Sequence, residues 1–280
     1  MRARHIWSML SSLLVVATLS GSLAAQAGAD FHRPLDELLD LYVRDGLVYY
    51  RALESDRRKL DAYIAALDGA QARSVDTWSQ EDQVAFWLNA YNAWVLRAIV
   101  DNYPIRGASE QYPSNSVRQI GGMFERTPRR VAGRALTLDQ IETTVIAKFR
   151  DPRLYLALGR GAVGSGRLRS EAFSGANLGR QLDAVAQEFA TSGRLLDIDE
   201  ARGVVGVSPI LSWREKDFVA AYAGAAHARF AQRSVMEKAL LAFVEPNLLP
   251  HERAFLERND FKVEFKPFDW ALNDLTGTGR

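Results

Sequence analysis

The chain has 280 residues, 35 Lys+Arg against 34 Asp+Glu, and no cysteine. Without cysteine there are no disulfides, no thiol catalysis and no lipoprotein anchor, so a hydrophobic core must hold the fold. A formal charge of +1 gives no basic surface of the kind nucleic acid requires, and no nucleic-acid partner is expected.

At the N-terminus, Arg2 and Arg4 precede an uncharged apolar stretch from Met9 to Leu23, and Ala25-Gln26-Ala27 supplies the small residues a signal peptidase reads. The pattern predicts a signal peptide over 1–27, cleaved after Ala27 or Ala29, and a periplasmic or secreted location. A membrane anchor fits less well, because the apolar stretch is short and rich in Ser, Gly and Ala. No later stretch could span a bilayer, so no stable membrane insertion is expected after cleavage. Cleavage after Ala27 would take Lys+Arg from 35 to 33 against 34 acids, so the positive balance belongs to the leader. Residues 28–280 show no repeat, low-complexity tract or linker and read as a single domain.

In chain order, Leu35, Leu38, Leu39 and Tyr42 recur at helical spacing until Asp45-Gly46 breaks the pattern. A second amphipathic stretch, Arg57 to Leu67, places Leu60, Tyr63, Ile64 and Leu67 on one side. The strongest helix signal is SQEDQVAFWLNAYNAWVLRAIVDNYP, with Ser79 and Asp82 as the start and Pro104 as the stop. Its apolar residues cover most of the circumference, which predicts a helix inside the core. Asn89 and Asn92 lie three apart on this helix, and buried amides need partners. They either fix loops against the helix, the favoured reading, or line a pocket. RVAGRALTL (130–138) and RLLDIDEARGVVGVS (194–208) read as β-hairpins, and FKVEF (261–265) alternates like a strand. ANLGRQLDAVAQEF and SVMEKALLAFVEPNL read as helices. The expected fold is α+β, predominantly helical, with short antiparallel β-hairpins.

The stretch LYLALGRGAVGSGRLRSEAF (154–173) imitates two nucleotide-binding signatures. Gly159, Gly161 and Gly164 satisfy G-x-G-x-x-G, and Gly161 to Arg167 nearly matches a phosphate loop. The context fails in both cases. No helical pattern resumes until about Ser174, Asp183 at the expected acidic position sits within a helix, and Arg167-Leu168 replaces Lys-Ser/Thr. What remains is a solvated loop with surface arginines, or a backbone nest for a small anion flanked by Arg153, Arg160, Arg167 and Arg169.

Other catalytic patterns are incomplete. HERAF (251–255) has Phe255 where a zinc-binding H-E-x-x-H needs histidine, His227 reads as a helix residue, and no serine sits in G-x-S-x-G. The acids of DIDEARG (197–203) fit a solvated hairpin turn, and calcium binding there lacks the full EF-hand spacing.

The segment Phe86-Trp87-Leu88-Asn89-Ala90-Tyr91-Asn92 resembles the family catalogued as domain of unknown function 547, whose members carry Phe-Trp-(Ile/Leu)-Asn-Ala-Tyr-Asn. YVRDGLVYYRAL, LTLDQIE (136–142) and FDWALND (268–274) resemble its opening, Leu-Asp-x-Ile-Glu-His and closing motifs. Against that pattern, Thr143 and Tyr155 stand where the family has histidine, Arg160 and Ser165 where it has cysteine, and Tyr49 where it has aspartate. The packing residues around these positions remain. The resemblance therefore implies a retained scaffold that has lost any His- or thiol-dependent chemistry.

The expectation is an exported, non-catalytic binding or assembly factor of the cell envelope. Its candidate ligand-binding residues are Asn89, Asn92, Glu142, Tyr155, Arg160, Arg167 and Arg169, and its partner is an unidentified protein or a small anionic ligand. The alternative is a periplasmic hydrolase using Ser165 or carboxylates in the same cleft, since serine can act as nucleophile when a base is within reach. No cofactor and no metal site is expected.

Overall fold

The computed structural model describes residues 31–69 and 72–276. The predicted leader lies outside them. Helix α1, described over 31–42, buries Leu35, Leu38 and Leu39 on one face. The break at Asp45-Gly46 is the turn of a small ribbon in which β1 (Val43–Arg44) pairs antiparallel with β2 (Leu47–Val48). Both turn residues have positive φ, 51° and 81°, as the tight hairpin turns favoured by Asp-Gly require.

Helices α2 (Tyr50–Ser55) and α3 (Arg58–Leu67) then pack against α4 (Gln80–Val100). The Ser79 side chain accepts from the Asp82 N–H and caps α4, satisfying one of the donors a helix start leaves open. The helix ends at Val100, short of Pro104. With residues buried all round it, α4 is the axis of a continuous apolar core.

Next come the hairpin β3 (Arg129–Val131) and β4 (Arg134–Leu136) and helix α5 (Leu138–Gln140), held by a Thr137/Gln140 capping box. The helix continues through a π turn, Ile141–Val145, and a 3-10 turn, Ile146–Phe149. The apolar start of the 154–173 stretch opens as the helical turn α6 (Arg153–Leu156). Helix α7 (Leu178–Thr191) follows the glycine-rich loop.

Strands β5 (Leu196–Asp199) and β6 (Val204–Val207) form the expected hairpin. The chain then runs through α8 (Ile210–Trp213), α9 (Glu215–Tyr222), α10 (Val235–Val244) and α11 (Pro250–Arg258) into β7 (Lys262–Phe265). Strand β7 lies parallel to β6, whereas the sequence suggests only antiparallel pairing. The reason is the helical excursion α8–α11, which returns the chain to the same end of the sheet, as parallel neighbours require. Beyond β7 the tail runs between the glycine loop and β2. Val163 N–H bonds Ala271 O and Gly164 N–H bonds Asp269 O, both at 2.8 Å, while Val48 N–H bonds Asn273 O at 2.9 Å. Among the described residues no helix is long and apolar enough to cross a membrane.

Candidate functional site

The site is organised from α4 outward. Asn89 Nδ2 donates to Phe173 O at 2.8 Å and its Oδ1 accepts from Phe173 N–H at 2.9 Å. Asn92 does the same one turn on, donating to Ala157 O (3.2 Å) and accepting from Gly159 N–H (2.8 Å). The two amides therefore grip the backbone at both ends of the glycine loop. Gln181 of α7 adds a third clamp, accepting from Ser174 N–H and donating to Ala172 O. These side chains position the loop, and none of the three reaches the pocket described below.

The loop is not solvated at its centre. Arg160 and Ser165 are 4% and 6% exposed. Its N–H groups are turned inward: Gly159 bonds Asn92, Arg160 bonds Ser165 Oγ, Ser165 bonds Ala162 O, and Val163 and Gly164 bond the tail. A phosphate nest needs those donors free, so the loop is a packing element. Its glycines permit close approach, with a Cβ on Gly161 falling 2.4 Å from Ile99 Cδ1.

The arginines that sequence groups together go separate ways. Arg167, 42% exposed, pairs with Asp45 at 2.9 Å. Arg169 bonds Glu171 and Glu188, tying the loop to α7. Arg153 pairs with Asp151 and Asp183. Replacing Arg167 by alanine is expected to change unfolding free energy by less than about 1 kcal/mol in a urea melt, because exposed ion pairs contribute little.

Arg160 alone turns into the protein. Its Nη2 donates to Glu142 Oε1 at 2.8 Å, and its Nη1 to the Tyr155 and Leu158 carbonyls. Arg214, following α8, approaches the same carboxylate oxygen with Nε and Nη2 at 3.0 and 2.6 Å. Glu142 projects from the π turn and is 6% exposed. Burial pushes its carboxyl up, but Arg160 and Arg214 outweigh that and hold it below the usual range. The Arg160 guanidinium shifts upward in turn, Glu142 overcoming the effect of burial. Tyr155 lies under the Arg214 guanidinium, 5.2 Å from its ring centre, and donates its hydroxyl to Asp217 at 2.8 Å. Burial and that bond push the phenol well above its ordinary value.

Above this cluster opens a pocket of about 210 Å³, lined by Tyr91, Arg118, Phe124, Glu125, Asp139 and the Glu142–Arg160–Arg214 triad, with Trp213 and Trp270 at its rim. Arg118 pairs with Glu125 at 2.6 Å and lies over Trp270, 5.1 Å from the ring centre. Asp139 makes no ion pair among the described residues. Burial raises the Tyr91 phenol well above its ordinary value. Ser165 Oγ accepts from Arg160 N–H at 3.1 Å, and no acid or base among the described residues bonds it, so a serine nucleophile has nothing to activate it.

Of the residues singled out by sequence, the structure brings together Glu142, Tyr155 and Arg160, and leaves Arg167 and Arg169 elsewhere. Sequence reasoning misses Trp213, Arg214, Arg118, Asp139 and Asp217. Asp139 and Trp270 carry the available signal, since they lie in the LTLDQIE and FDWALND stretches. His251 starts α11, and His227 stands at the exposed start of a 3-10 turn, 3.9 Å from Glu245 rather than inside a helix.

Neither a curated protein nor a solved structure matches the chain. Residues 75–190 match the family model described as Protein of unknown function, DUF547. That span holds α4, Glu142, Tyr155 and the glycine loop, whereas Trp213, Arg214 and Trp270 come from outside it. Over residues 75–190 the chain is similar to the DUF547 family.

Proposed function

We propose that the chain is an exported, non-catalytic member of this family that binds a small ligand in the pocket above Glu142. The observation that carries the reading is the Glu142–Arg160–Arg214 triad at the pocket floor, in which Glu142 and Arg160 are buried. A general base must be free to take a proton. Glu142 is instead locked as a carboxylate by two guanidiniums, and the Tyr91 and Tyr155 phenols are held protonated. Arg160 and Tyr155 also occupy the positions at which the resembling family carries cysteine and histidine, so a charge-paired floor stands where that family's Cys and His would be. The leader pattern over 1–27 supports a binding role outside the cytoplasm.

The test has two arms on the purified protein. A panel of ester, amide and glycoside substrates is expected to show no turnover above background. A fragment library followed by ligand-observed NMR is expected to give binders that Arg118→Ala displaces. Turnover abolished by Asp139→Asn, the pocket's unpaired carboxylate, would overturn the non-catalytic reading.

A further inference from the structure

We infer that the ligand of this pocket is a neutral sugar residue, stacked on Trp213 and Trp270 with its hydroxyls turned to the charged floor; the inference rests on the binding reading above. Three features point there together.

The first is an aromatic shelf. Trp213 is 41% exposed, a large apolar area to leave in water. Its ring lies 6.2 Å from that of Trp270 with the planes 16° from parallel, and Phe268 backs both at 4.9 and 4.3 Å. The two indoles are stacked, with the Arg160 and Arg118 guanidiniums 5.6 and 5.1 Å from their ring centres, and the Phe268 contacts hold them in place before any ligand arrives. A pyranose has a matching apolar face of C–H groups, and burying it against a preformed ledge needs little rearrangement.

The second is charge balance. The lining carries Arg118, Arg160 and Arg214 against Glu125, Asp139 and Glu142. An anion would meet three carboxylates and a cation three guanidiniums, so neither sign is favoured. The lining still offers donors and acceptors side by side. Arg214 uses Nε and Nη2 on Glu142, leaving Nη1 without a hydrogen bond to any described residue, and Asp139 is an unpaired acceptor. Adjacent planar donors and acceptors suit vicinal hydroxyls, each of which both gives and accepts.

The third is size. About 210 Å³ falls below the roughly 300–1,000 Å³ typical of sites for drug-sized molecules. The pocket therefore takes one ring, and a longer glycan would extend along the shelf into solvent. The expectation of a small anionic ligand, which rested on Arg153, Arg160, Arg167 and Arg169, gives way to a neutral one, because each of these arginines is paired with a carboxylate.

The experiment titrates the protein with neutral mono- and disaccharides built from glucose, galactose, mannose and N-acetylglucosamine. Glucuronate and glucosamine serve as charged counterparts, and small carboxylates, amines and dipeptides as other classes. At least one neutral sugar is expected to bind by calorimetry, with saturation-transfer NMR strongest on its ring C–H protons. Its uronate and amine analogues are expected to bind several-fold more weakly. Trp213→Ala is expected to weaken binding tenfold or more with an unchanged melting temperature, while Trp213→Phe retains most of it. Tighter binding of a charged analogue, or pocket binding only by another class, would overturn the sugar inference and leave the binding reading standing. Absence of any binder that Arg118→Ala displaces would overturn both.

Discussion

Replacing Glu142 by alanine is expected to destabilise the protein by about 3–5 kcal/mol, because removing one partner of a buried ion pair leaves the other charge uncompensated. Arg160 is the group stranded. It is 4% exposed, and its Nη2 has Glu142 as acceptor while Nη1 relies on two carbonyls. Arg214 can swing toward solvent and would suffer less, since its side chain keeps 22% exposure. A urea series read by circular dichroism measures the loss. The double variant Glu142→Leu/Arg160→Met removes both charges and is expected to recover much of the stability, since apolar replacement of a whole buried pair is often neutral. The gap between wild type and Glu142→Ala should also depend on pH. The folded carboxyl lies below its ordinary value, so its contribution is complete above the unfolded Glu pKa of about 4.3 and is lost as pH falls through the folded value. The gap is therefore expected to be full at pH 7 and to narrow under stronger acid. An undiminished gap across that range would show that packing, not charge pairing, is what the mutation removes.

The parts of this molecule legible in sequence are those encoded within a few residues. Ser79 and Asp82 cap α4 three positions apart, Ser234 and Glu237 form the capping box of α10, and Asp45-Gly46 supplies its own left-handed turn. Helix α4 was readable because apolar residues surround it. The parallel placement of β7 was not, because it is set by how α8–α11 pack between the two strands. The same distinction governs the site. Glu142 and Arg160 are 18 residues apart and Arg214 is 72 from Glu142, so no spacing rule joins them. Arg160, Arg167 and Arg169 look equivalent in sequence, and only tertiary context separates one buried, paired guanidinium from two that tie surfaces together. The glycines misled for a related reason. A glycine that admits a phosphate and a glycine that admits a neighbouring backbone leave the same letter.

That ambiguity can be resolved at Gly166, where alanine is expected to destabilise the protein by about 3 kcal/mol or more. An added Cβ would fall 1.7 Å from the Leu156 carbonyl oxygen and 2.7 Å from its carbon. Both are backbone atoms of α6, so no side-chain rotation relieves the clash. Relief must come from moving α6 or the loop. The first shift displaces Tyr155 and its bond to Asp217, and the second pulls Arg160 off Glu142. Gly179 in α7 is the internal control. A Cβ there meets nothing within 4 Å, and alanine within a helix is expected to be neutral or stabilising by up to about 1 kcal/mol. In an anion-binding loop the corresponding alanine would abolish ligand binding and spare the fold, because the glycine's space belongs to the ligand. Here the space belongs to Leu156, so melting temperature and soluble yield should fall together for Gly166→Ala and hold for Gly179→Ala. Equal melting of the two variants would mean that the loop does not press against α6, and the pocket floor would lose the support that fixes Arg160 beneath it.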